Sequence, residues 1–183
     1  MPDVLLNSLS NFYNQQNNKE KLLEVINNTN NISLRIIDWF VTNYSKKFNI
    51  KYFINKVNDI NTINMNDGLK QFNIYYSYKT QLKSYSKKKF DPFCRRDRIE
   101  FTLNNDEKII TTVGQLNFFK WAINNCIIDF ILVNYKAIEE DMNLSLKDLH
   151  KKKEKDNRKK RQELSKSASR GLNTNNIHVT INF

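Results

Sequence analysis

The chain has 183 residues, with 30 Lys or Arg against 19 Asp or Glu and a formal net charge of +11. Its 12% aromatic content excludes disorder throughout, and two cysteines, Cys94 and Cys126, make neither a disulfide framework nor a zinc site. The longest apolar stretch, around Ile127–Val133, is interrupted by Asp129 and falls far short of the roughly 18 residues a membrane span needs, so no membrane partner is expected.

The start, Met1-Pro2-Asp3-Val4-Leu5-Leu6, lacks the basic head and apolar run of a signal peptide. An intracellular, reducing setting with free thiols is therefore expected. Residues 4–28 read as one or two helices, with Leu5, Leu6, Leu9 and Phe12 on one face and Leu22, Leu23 and Ile26 after a polar break. Asn27–Asn31 reads as a loop. A clearer helix follows, capped by Asn31 or Ser33, with Leu34, Ile37, Phe40, Val41 and Tyr44 at helical spacing and Lys46 and Lys47 in its last turn.

Residues 49–70 are ambiguous: Ile50–Ile54 suits a short strand, and Asp59–Gly68 reads as a surface loop. From Phe72 to Tyr85 the spacing of Tyr75, Tyr78, Leu82 and Tyr85 predicts a helix, with a strand through Phe72–Tyr76 as the alternative. Phe90-Asp91-Pro92-Phe93 must leave the helix, because the residue before proline is pushed out of the α region. Arg98–Leu103 and Lys108–Thr112 form a β-hairpin turned at Asn104–Glu107.

The longest helix is expected to start at Thr112, with Gln115 completing a capping box, and to run to about Met142. Leu116, Phe119, Ile123, Ile127, Phe130, Ile131 and Ile138 form its stripe, so it is expected to be the central core helix with Cys126 buried within it. A further helix after Asn143 or Ser145 would place Leu144, Leu146 and Leu149 on the body. The fold class is α+β and predominantly helical. Residues 1–149 form a helical body with the hairpin near 98–112, and residues 150–183 form a basic arm ending in a short strand.

Charge concentrates in two places. Between Lys151 and Arg170 there are ten Lys or Arg against three acids, a net +7 of the total +11. The clusters Lys151, Lys152, Lys153 and Lys155, then Arg158, Lys159, Lys160 and Arg161, suit phosphate neutralisation with little sequence preference. Against this stand a solvated helix face, supported by Glu154–Arg158 and Asp156–Lys160 pairs, and, behind both, a nuclear-import signal. The second place is Lys87, Lys88, Lys89, Arg95, Arg96 and Arg98, six cations within twelve residues that also hold Phe90 and Phe93. Arginine forks grip phosphates, and exposed aromatics stack on unpaired bases. In the opposing reading both phenylalanines anchor the loop in the core and Arg95 and Arg96 pair with acids of the body.

Other chemistry finds little support. Cys94 sits beside arginines but lacks the glycine-rich cradle of a phosphatase, and is read as structural. Asp91, Asp97 and Glu100 would serve a metal-dependent nuclease, yet the usual Glu-x-Lys step is missing. No glycine-rich phosphate loop or HExxH pattern appears. At the end of the chain Ile177, Val179, Ile181 and Phe183 alternate with polar residues, as in a strand that docks on its own sheet or on a partner.

Four stretches together resemble uncharacterised small basic proteins of giant, mimivirus-like DNA viruses. They are Leu34–Tyr44, Tyr78–Lys83, Phe90–Arg96 and Thr111–Trp121. The resemblance spans roughly residues 34–142 and brings no catalytic residues with it. It implies a virion or a cytoplasmic viral factory as the location, while the import-like basic clusters add the nucleus as a further compartment. The expectation is a non-enzymatic protein without cofactors that binds DNA or RNA through phosphates. The alternative is a virion assembly protein whose arm meets acidic partners, or which self-associates through residues 177–183.

Overall fold

The computed structural model describes residues 4–27, 29, 32–57, 60–67, 70–93, 96–103 and 107–155. The chain divides into two units, Met1–Leu144 and Ser145–Phe183. The first is a mainly helical α+β fold with two small antiparallel sheets.

Two helices, α1 (Val4–Tyr13) and α2 (Gln16–Ile26), open it. Leu9, Tyr13, Leu22 and Val25 are buried. Tyr13 follows Leu9 by four residues on the same face of α1 and is fully buried, and its hydroxyl donates to the Leu116 carbonyl oxygen at 2.7 Å. A buried hydroxyl is tolerated only with such a partner.

Ser33 caps the next helix by accepting from the Ile36 amide. It runs as α3 (Leu34–Trp39), a π-helical turn (Phe40–Tyr44) and α4 (Ser45–Lys47). Ile36, Ile37, Phe40 and Val41 are buried. Asn49, at φ 48°, ends the run in the left-handed region, which asparagine tolerates better than most residues.

Residues 51–73 build a three-stranded sheet in the order β2-β1-β3, from β1 (Lys51–Val57), β2 (Ile60–Asn64) and β3 (Lys70–Asn73). The loop expected over 59–68 is corrected by β2, which pairs antiparallel with β1 at Ile54↔Ile63. β2 hides little side chain, so backbone pairing rather than an alternating apolar pattern defines it. The helix expected from Phe72 to Tyr85 forms from Ile74, and β3 takes up only Phe72 and Asn73 of the alternative strand. The Asn73 side chain accepts from the Tyr76 amide at 3.0 Å and starts α5 (Ile74–Ser84).

After α6 (Lys87–Phe90) the chain leaves the helix at Asp91, as the following proline requires. β4 (Ile99–Thr102) and β5 (Lys108–Thr111) form the hairpin, in the register Ile99↔Thr111 to Thr102↔Lys108. Most of its turn lies outside the described residues.

The single helix expected from Thr112 to about Met142 is two: α7 (Val113–Asn124) and α8 (Ile127–Lys155), bent by 82°. Cys126 therefore lies between helices rather than within one, at φ 54°. It is buried as expected, and its thiol is pushed up to about 11 by burial, then by the Asp129 charge, with Lys21 opposing. The apolar stripe continues across the corner because both helices bury wide arcs. Only the weak helix formers Asn124 and Asn125 hint at the break. No new helix begins after Asn143 or Ser145; α8 runs through to Lys155, with a kink at Asn134. Leu144 is exposed rather than packed. Among the described residues no single helix is long and apolar enough to cross a membrane.

In the first unit the core centres on α7 and on α8 up to Met142. Leu116, Phe118, Ile127, Ile131 and Ile138 are buried at its centre. Phe130 stacks on Phe40 and Tyr52 with centroids 5.2 and 5.5 Å away, which ties α8 to the π turn and to the sheet.

Candidate polyanion-binding surface

The basic segment Lys87–Arg98 lies on the start of α7, and the contact is backbone-close. A Cβ on Gly114 would sit 3.0 Å from both the Lys88 and the Asp91 carbonyl oxygens, so any larger residue there would push the segment away. Two side chains of α7 grip the same backbone. Asn117 donates to the Lys89 carbonyl oxygen at 2.9 Å, and Gln115 to the Pro92 carbonyl oxygen at 3.2 Å. Thr112 caps α7 by accepting from the Gln115 amide at 3.1 Å. Half of the expected capping box thus forms, while the Gln115 amide group turns to Pro92 instead.

Phe90 is the anchor of this segment. It is fully buried among Tyr78, Tyr85, Phe118 and Trp121, with centroids 5.7 to 6.1 Å away. Phe93 is 44% exposed, and its amide donates to the Asp91 carboxylate at 2.9 Å in a tight turn. The two phenylalanines thus divide between the two readings: Phe90 packs in the core and cannot stack on a base, while Phe93 faces solvent.

With Phe90 inside, the lysines before it stand outside. Lys87, Lys88, Lys89, Arg96 and Arg98 are all exposed. Lys88 pairs with Asp97 at 2.7 Å, with both side chains more than 60% exposed, where water screening leaves such a pair little energy. Among the described residues no ion pair engages Lys87, Lys89, Arg96 or Arg98. The expected pairing of Arg96 with an acid of the body is therefore absent there; Arg95 and Cys94 lie outside the described residues. A shallow cavity of about 140 Å³ opens between Lys88, Lys89, Arg96 and Asp97 and the first residues of α7. A larger one, about 340 Å³, lies at α2, β5 and α7 and has no charged lining residue.

The acids that would serve metal chemistry are dispersed. Asp97 holds Lys88, Glu100 holds Lys108 at 2.8 Å across the hairpin, and Asp91 makes its own turn. No group of three His, Cys, Asp or Glu converges among the described residues. Beneath the segment, Tyr78 is pushed up to about 12, first by burial and then by Asp38 and Asp91.

In the arm, Lys151, Lys152, Lys153 and Lys155 occupy the last turns of α8. Arg158, Lys159, Lys160, Arg161 and the alternating end, residues 176–183, lie outside the described residues. One cationic surface is not legible in the sequence. Helices α4 and α5 pack together, so that Lys46 lies over the Tyr75 ring at 5.4 Å and Lys79 at 6.0 Å. Its residues are some thirty positions apart along the chain, and only the i,i+4 spacing of Tyr75 and Lys79 is a local signal.

A family of unknown function (DUF7197) matches residues 2–176. The uncharacterized protein L507 of Acanthamoeba polyphaga mimivirus is 42% identical over 151 residues, covering 80% of this chain and 54% of its own length. The chain thus spans about half the length of that curated relative. No solved structure matches.

Proposed function

This chain belongs to DUF7197, a family of unknown function, and is similar to a mimivirus protein, and we propose that it is a nucleic-acid-binding protein that grips phosphate backbones. The observation that carries this reading is the set of exposed cations Lys87, Lys89, Arg96 and Arg98, without ion-pair partners among the described residues and held on a segment anchored by Phe90. Cations left unpaired on a fixed backbone have their charge available for a polyanion. Arginine forks add bidentate phosphate contacts, and released counterions supply most of the affinity. Lys88, Arg95 and the arm residues Lys151, Lys152, Lys153, Lys155, Arg158, Lys159, Lys160 and Arg161 extend the same charge. In a viral setting this suits a protein associated with the genome or the virion.

The test is binding of labelled duplex DNA and structured RNA across a salt series, by the full chain and by a variant with Lys87, Lys89, Arg96 and Arg98 all changed to Gln. Binding by the full chain should fall steeply with salt, with a logarithmic slope of about −0.9 per phosphate contact on DNA. The variant should bind more weakly and with a shallower slope. A full chain that binds neither ligand at low salt would sink the reading. A variant that binds like the parent would remove this segment from it.

A further inference from the structure

We propose that the exposed rings of Tyr76, on α5, and Phe48, just after α4, stack unpaired bases, so that the preferred ligand is single-stranded nucleic acid. This rests on the phosphate-binding reading above and names its ligand class. Tyr76 is 68% exposed and Phe48 50%, unusual fractions for large rings in a chain that buries Phe40, Tyr52, Phe72, Tyr78 and Phe90. Neither ring is loose. Tyr76 is braced edge-on by Tyr75, with centroids 5.7 Å apart at 67°. Phe48 lies tilted on Tyr44 at 4.5 Å. Each therefore offers a ring surface already fixed in place, which lowers the entropy lost when a base stacks on it.

The charge around these rings has the sign a nucleic acid needs. Lys46 and Lys79 sit over Tyr75, and Lys47 over Phe48 at 5.1 Å. Tyr76, Lys79 and Lys83 recur at i, i+3 and i+7, so they share a face of α5. Lys47 is held by Asp141, but no ion pair among the described residues engages Lys46, Lys79 or Lys83. Exposed rings interleaved with unpaired lysines are the arrangement that binds single strands: bases stack while the cations follow the backbone. A duplex keeps its bases stacked on each other and has no use for the rings.

The experiment is fluorescence anisotropy with a labelled oligothymidylate and a duplex of equal length, at one moderate salt concentration. It compares the full chain with Tyr76→Ala, Tyr76→Phe and Phe48→Ala. The full chain should hold the single strand more tightly than the duplex. Tyr76→Ala should weaken single-strand binding about 5- to 150-fold, the range for losing one stacked base. It should leave duplex binding almost unchanged, and Tyr76→Phe should restore the parent affinity. If both alanine variants keep the parent single-strand affinity, or lose both ligands equally, the stacking proposal is wrong while phosphate binding stands. If the full chain binds neither ligand, both fall together.

Discussion

Lys87–Lys89 and Lys151–Lys153 are both runs of three lysines on a helix, and they differ in their neighbours and in their support. The first run leads straight into Phe90, with no exposed surface, and its backbone is held by Asn117 and Gln115 of α7. The second continues α8, where no described side chain beyond Met142 is buried. Equal charge therefore rests on unequal support. A cation whose backbone is fixed presents a set spacing to a ligand, whereas one on a solvated helix contributes mainly field. The same twelve-residue segment can supply both core and exposed charge, because helical geometry sends Phe90 inward and the lysines outward.

The strongest way to break this contrast is to remove the anchor. Phe90→Ala should cost about 3–5 kcal/mol, the usual loss for a buried phenylalanine. Denaturant unfolding would show it as a large drop in midpoint. A loss below about 1 kcal/mol would mean that the ring is dispensable and the two runs are alike. Next comes Gly114→Ala, which sets a methyl group 3.0 Å from two backbone carbonyl oxygens, tighter than an ordinary contact. Overpacking of this kind costs about 1–3 kcal/mol, enough to offset the better helix propensity of alanine. Thr112→Ala, which deletes the cap of α7, should cost about 1 kcal/mol in the same assay.

Alkaline pH approaches the same anchor through Tyr78, which packs on Phe90 with centroids 6.0 Å apart. Its folded value, about 12, lies above the ordinary 10.0, so the neutral phenol is the form the fold favours. That contribution is fully present below pH 10 and is lost as the pH rises through about 12. Tyr13 and Tyr52, also raised by burial, act with the same sign. The share of tyrosinate absorbance that belongs to these buried tyrosines should therefore appear only as circular dichroism is lost. Ionisation of every tyrosine before any loss of structure would contradict the buried assignments.

How much of the fold is legible in the sequence depends on the kind of force involved. The α7 and α8 stripe, the Ser33 and Thr112 caps and the hairpin are readable, because apolar spacing and capping residues are local signals. The corner at Cys126 is not, since it is a backbone event between two equally apolar helices. Strand β2 is missed because its pairing with β1 leaves no pattern in Ile60–Asn64. For the surface, the cations of 87–98 are visible as composition, but not the inward turn of Phe90. The lysine–tyrosine face is hidden because tertiary packing alone brings Lys46 to Tyr75.

The smallest effect on stability should come from the four-cation variant, Lys87, Lys89, Arg96 and Arg98 to Gln, since exposed positions usually change it by no more than about 0.5 kcal/mol. Its value lies in a second comparison, with a chain ending at Asn143 that lacks the whole arm. Cations held at fixed positions favour a ligand whose phosphates are regularly spaced, whereas a field acts on any polyanion. The four-cation variant should thus lose more affinity for nucleic acid than for heparin, and the truncated chain should lose similar factors on both. Parallel salt titrations on the two ligands measure this directly. Equal losses on heparin and nucleic acid for both proteins would mean that anchoring Phe90 gives the segment no geometric advantage, and that charge count alone governs binding.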